Sequence, residues 1–129
     1  MKKAGILTVC GLVAAMLVSF SDTASARPQY NKAHDEVHKE AKNAEALKAA
    51  KCNKCHFGKK KKDRNDYGKA LIKLGLTGDN YKAKKADKEA FAKEIAEVLE
   101  KVLKEKSAGG ETFGDRIKAG KLPGTNPEE

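Results

Sequence analysis

The chain has no tryptophan, and in 129 residues it has only three tyrosines and four phenylalanines. A large aromatic core is therefore excluded, and a small domain of this kind usually needs a staple: a disulfide, a metal or a cofactor. Proline is confined to Pro28, Pro123 and Pro127, so no proline interrupts the long middle of the chain. Methionine occurs only as Met1 and Met16. Cysteine is limited to Cys10, Cys52 and Cys55. The last two sit together and cannot tie distant parts of the chain, which excludes a disulfide scaffold and leaves a cofactor as the better staple. There is no alternating strand pattern, no internal repeat and no long apolar run beyond Phe20. What is abundant is charge. Twenty-seven basic residues face eighteen acidic ones, a formal net charge of +9.

The first 26 residues read as a segment apart. Met1-Lys2-Lys3 is a basic start, Ala4 to Phe20 is apolar, and Ala24-Ser25-Ala26 is a small-x-small cleavage pattern. That order is expected of a secretory signal peptide over residues 1–26. The apolar stretch is short for a membrane span, and no other segment offers one. Cys10 follows Val9, which is larger than a lipidation signal wants before its cysteine, so Cys10 reads as a small hydrophobe lost with the peptide. Residues 27–129 are then expected to form one domain, exported to the periplasm or secreted, with a tail that frays from about residue 123.

Within that domain the periodicity is helical, and the expected fold class is all-α. Asn31 to Lys51 contains no glycine or proline and places Ala33, Val37, Ala41, Ala44 and Leu47 on one side, predicting a single helix that runs into the cysteines. Tyr67, Ala70, Leu71 and Leu74 predict a short helix from about Asp66 to Leu74, ended by Gly75 and Gly78. Ala90, Phe91, Ile95, Val98, Leu99, Val102 and Leu103 form an apolar stripe that predicts a helix over Lys85 to Lys106. Asp87 is its expected N-cap and Gly109-Gly110 its stop. Phe113, Ile117 and Leu122 are expected to dock the C-terminal segment on the core.

Cys52-Asn53-Lys54-Cys55-His56 carries the chemistry. C-x-x-C-H is the attachment sequence of c-type haem: two thiols three positions apart can both reach the two vinyl groups of one haem, and the histidine that follows turns its imidazole under the iron as proximal ligand. Export and the motif support each other, since haem c is normally attached after export. A C-x-x-C redox pair or disulfide with an incidental histidine is the competing reading, but such redox pairs belong beside a βαβ pattern, which is absent here.

With one such motif after an N-terminal helix and an amphipathic helix toward the C-terminus, the chain resembles the small mono-haem cytochromes c. The resemblance implies an all-α electron carrier with one covalent haem c on Cys52 and Cys55 and His56 on the iron. It rests on the five-residue motif and the order of helices. Two features depart from that family. The distal methionine is missing, because Met1 and Met16 lie in the expected signal peptide, and no Gly-Pro step follows the motif. Without the thioether the potential is expected to lie below that of a Met/His site.

The expected distal side is a weak or absent protein ligand, with a lysine amine, a tyrosine oxygen or water as the options. His34 and His38 are the other histidines. On one unbroken helix His38 would lie roughly 27 Å from His56, so both histidines are expected to face solvent. The same spacing disfavours a structural zinc site from His34, His38, Cys52 and Cys55. An open distal site would also allow small-ligand binding or sensing, while a weak peroxidase lacks a candidate distal acid–base residue. Lys59, Lys60, Lys61, Lys62 and Arg64 form a basic stretch just past the motif. It suits docking of an acidic redox partner rather than nucleic acid, for which interleaved aromatics are missing.

Overall fold

The computed structural model describes residues 27–59 and 61–127, so the expected signal peptide lies outside the described residues. They fold into a mostly helical domain. Helix α1 spans Pro28–Val37 and α2 spans Ala44–Ala50. A 3-10 turn, Lys51–Lys54, leads into a two-residue strand β1, His56–Phe57, which pairs antiparallel with β2, Asp63–Arg64. Then come α3 (Asp66–Lys73), α4 (Gly78–Lys84), α5 (Lys88–Val102) and α6 (Phe113–Lys118). No helix among the described residues is long and apolar enough to cross a membrane.

Local chemistry places most of these boundaries. The side chains of Asn65, Thr77, Asp87 and Thr112 each accept a hydrogen bond from the backbone N–H three residues on, satisfying a donor that a helix start leaves free. Gly75, at φ 106°, ends α3 in a conformation that costs glycine little. Helix α5 is shorter than its stripe predicts because the chain doubles back after Val102. Gly114 N–H donates to the Leu103 carbonyl and Phe113 N–H to the Glu105 carbonyl, closing the helix end from α6.

The core lies along α5. Phe91, Ile95, Val98, Leu99 and Val102 are buried there against Tyr67 and Leu71 of α3, Leu76, and Phe113 of α6. Tyr67 meets Phe113 edge to face at 5.1 Å between centroids. Tyr30 of α1 and Tyr81 of α4 each stand about 6 Å from the Phe91 ring, a spacing favourable for aromatic pairs. Five of the six described aromatic residues thus meet at two junctions.

Three expectations need correction here. The helix expected over Asn31 to Lys51 is two helices, parted by turns at residues 38–43. No glycine or proline causes the break. Asn43 is buried there and donates from its side chain to the Lys121 carbonyl at 2.8 Å, while Leu47, 1% exposed, turns inward. Helix propensity amounts to tenths of a kcal/mol per residue, and tertiary contacts of this kind outweigh it. The C-terminal segment is also held further than expected. Thr125 donates from its backbone N–H and its hydroxyl to the Asp66 carboxylate, and Pro123 is fully buried, so fraying does not begin at residue 123. Leu122, by contrast, is 38% exposed and does not dock.

Candidate functional site

The site begins at a backbone irregularity. Lys51 follows α2 with φ 47° and ψ −120°, a left-handed conformation that a non-glycine residue adopts at a cost of about 1–3 kcal/mol. This turn swings the chain out of α2 and into the tighter Lys51–Lys54 segment. Cys52 is thereby presented at the surface, and Cys55 is half-buried; both thiols are free. The two cysteines therefore share one turn, as their spacing implies, but a 3-10 turn rather than an α-helical one. His56 opens β1 opposite Arg64, so Lys59, Lys61 and Lys62 lie on the connection of a hairpin folded back beside the motif.

Residues that sequence reasoning passed over fix this turn from behind. Asn65 N–H donates to the Cys55 carbonyl at 3.1 Å, and its side-chain amide donates to the Lys54 carbonyl at 3.1 Å. Its Oδ1 meanwhile accepts from Gly68 N–H at 2.9 Å. Gly68 lets α3 approach so closely that a Cβ there would overlap the Cys55 carbonyl oxygen. The only sequence signal was Asn65 as a capping residue ahead of a helix, with a glycine three positions later.

Beside the turn lies a cavity of about 370 Å³, with a predominantly apolar wall. The motif contributes Cys52, Lys54, Cys55 and His56 to it. Further contributions come from Tyr30 and His34 of α1, from Leu71 and Ile72 of α3, and from Leu76 and Leu99. Arg27, Lys51, Lys61 and Arg64 add four cations to the wall. Of the basic stretch, Lys59 and Lys62 are exposed, Lys61 and Arg64 line the cavity, and Lys60 lies outside the described residues.

His34 and His38 do not face solvent. They are 2% and 7% exposed, with ring centroids 4.5 Å apart, and the His34 ring stands edge-on to Tyr67 at 5.8 Å. The reason is the break after α1. It folds α2 back so that the motif returns to the side of α1 that carries the histidines. His34 therefore lines the same cavity as Cys52, Cys55 and His56, whereas His38 sits behind it.

The electrostatics of this half are unusual. Lys54, 1% exposed, pairs its ammonium with Asp35 of α1. Burial, followed by the nearby His38 and the Lys54 charge, pushes the His34 pKa down to about 2. Burial and then Lys54 lower His38 as well. Both rings are thus neutral at ordinary pH and able to offer a lone pair. Burial and the Arg64 guanidinium also lower His56. Burial pushes the Cys55 thiol up to about 12, so it stays protonated and lacks the low-pKa thiolate of a redox pair.

Several polar atoms here have no partner. Both ring nitrogens of His34, Nε2 of His38, Nδ1 of His56 and the Tyr67 hydroxyl are buried without a hydrogen bond. Native interiors rarely leave such groups unpaired. Among the described residues, no three of the His, Cys, Asp and Glu side chains gather into a set able to hold a bare metal ion, so the zinc arrangement is not assembled. No model of a known protein family, no curated protein and no solved structure matches this chain.

Proposed function

We propose that this protein is an exported electron carrier holding one haem c, attached through Cys52 and Cys55 with His56 as an axial iron ligand. The observation that carries this reading is the placement of all three motif residues on the wall of one largely apolar cavity. The donor set fits the group. Two free thiols stand beside a neutral imidazole with an unpaired buried nitrogen, and the cations Arg27, Lys51, Lys61 and Arg64 suit the two carboxylates that a haem carries. When bound, the haem supplies an iron that accepts and returns a single electron.

The chain's own residues do the rest. Cys52 and Cys55 would hold the group as thioethers, each S–H adding across one vinyl C=C with no atom lost. Asn65 and Gly68 hold the turn that presents both sulfurs and His56. Tyr30, Leu71, Leu76 and Leu99 exclude water, which lowers the reorganisation an electron transfer demands. Exposed Cys52 places one attachment point at the surface, and Lys59 and Lys62 lie on the neighbouring loop. Their charge favours encounter with an acidic redox partner, so the rate of electron transfer is expected to fall as salt rises.

The test is expression of the full chain with a haem-maturation system, followed by mass and absorption spectra. The expected product has the mass of the polypeptide plus one whole haem, and acid extraction does not remove the colour. Replacing both cysteines by alanine abolishes that covalent mass. A colourless wild-type protein with two free thiols overturns the proposal.

A further inference from the structure

The remaining question is what faces His56 across the iron, and it rests on the haem reading above. Sequence spacing alone put every histidine out of reach. In the folded chain, the cavity wall carries a short set of side chains able to donate to iron. Tyr30 is engaged, because its hydroxyl donates to the Thr77 carbonyl at 3.0 Å. Lys54 is engaged with Asp35. Lys51 is exposed and Lys61 only half-buried, so neither is held inside the cavity as a buried side chain is. His34 differs from all of these. It is 2% exposed, it lines the cavity, and neither ring nitrogen has a hydrogen-bond partner.

We infer that His34 is the second axial ligand, giving this haem two histidines. Helix α1 supplies one imidazole and the motif the other, and the break at residues 38–43 is what brings the two elements onto one cavity. His38 lies beside His34, with ring centroids 4.5 Å apart and planes tilted by 55°, but does not line the cavity. A ring nitrogen on iron would satisfy a buried acceptor that the protein otherwise leaves unpaired.

Holoprotein from the maturation system is examined first by mass, then by optical and EPR spectra and by carbon monoxide mixing, for wild type, His34→Leu, His34→Gln and His38→Leu. Wild type is expected to be low-spin with the EPR pattern of two imidazoles. Both His34 variants should keep the mass of the attached haem yet become high-spin. Carbon monoxide should bind their reduced form about tenfold faster or more, since an occupied site is competent only in the fraction of molecules with the ligand off. Added imidazole should return them to low spin, while His38→Leu stays low-spin without it.

A wild-type protein that carries covalent haem in a high-spin state overturns the assignment of His34 and leaves haem attachment standing. So does a low-spin spectrum unchanged by either His34 substitution. A wild-type protein with no haem mass overturns the functional reading itself, and the ligand assignment with it. Two His34 variants cover the case in which one fails to accumulate.

Discussion

Along α5 and α6 the buried surface is apolar, and the helix starts are capped by Asp87 and Thr112. Around α1 and the Lys51–Lys54 turn, by contrast, the interior holds His34, His38 and Lys54, and several of its polar atoms are unpaired. Lys51 and Lys61 also take positive φ there, at 47° and 52°. One side maximises its own stability. The other carries groups that each cost about 1–3 kcal/mol when buried without a partner, a large share of the roughly 5–15 kcal/mol net stability of a domain. A fold keeps such groups where something else is to pair them. The contrast teaches that the α1 side gives up stability that the α5 side keeps, as the proposed haem site would require.

Substitutions on the two sides should therefore differ in sign as well as size. The largest loss is expected from Phe113→Ala, which empties a 1%-exposed site against Tyr67; denaturant unfolding should show about 4 kcal/mol less stability. Gly68→Ala is expected to cost about 3 kcal/mol, because its Cβ would strike the Cys55 carbonyl and α3 must back away from the turn. That variant should also take up haem poorly, so equal yields of holoprotein would refute the positioning role given to α3.

A smaller effect is expected at Asp66, which ties α3 to Ala108 and Thr125. Burial alone would raise its pKa, but hydrogen bonds from Ala108, Thr125 and the Tyr67 N–H outweigh it and hold the carboxyl below its ordinary value. Asp66→Asn should cost about 1.5 kcal/mol at neutral pH. The wild-type contribution is present above the ordinary carboxylate range and is lost as pH falls through the depressed pKa, since the unfolded chain takes up the proton first. The acid limb of a stability–pH curve should thus flatten in the variant. If the two curves run parallel below pH 4, Asp66 is not the group responsible.

The smallest change should carry the opposite sign. In the haem-free protein, His34→Leu replaces two unpaired ring nitrogens with apolar surface, and a gain of about 1 kcal/mol is expected. A loss as large as that of a core substitution would mean that His34 is already satisfied without a guest, and the contrast between the two sides would collapse.

Sequence patterns reached the first side well and the second poorly. The stripe from Ala90 to Val102, the Asp87 cap and the Asp66–Lys73 helix were all legible, because each is decided by neighbours within a turn or two. The break between His38 and Asn43 was not. It is set by contacts such as Asn43 to Lys121, which lie 78 positions apart in sequence. The error spread from there, since an unbroken helix also implies that His34 is exposed and far from the motif. Asn65 and Gly68 were illegible as supports of the motif turn for the same reason, because their partners come from a separate turn.

By itself, then, the sequence determined the C-x-x-C-H motif at Cys52, Cys55 and His56, the absence of a methionine beyond Met16, the helical class and the positive charge. These depend on residue identity and short spacing, which no fold can alter. Which side of each helix meets the cavity, and so that His34 lines it together with His56, was decided only in three dimensions. Burial and long-range hydrogen bonds there outweigh local propensities of tenths of a kcal/mol per residue.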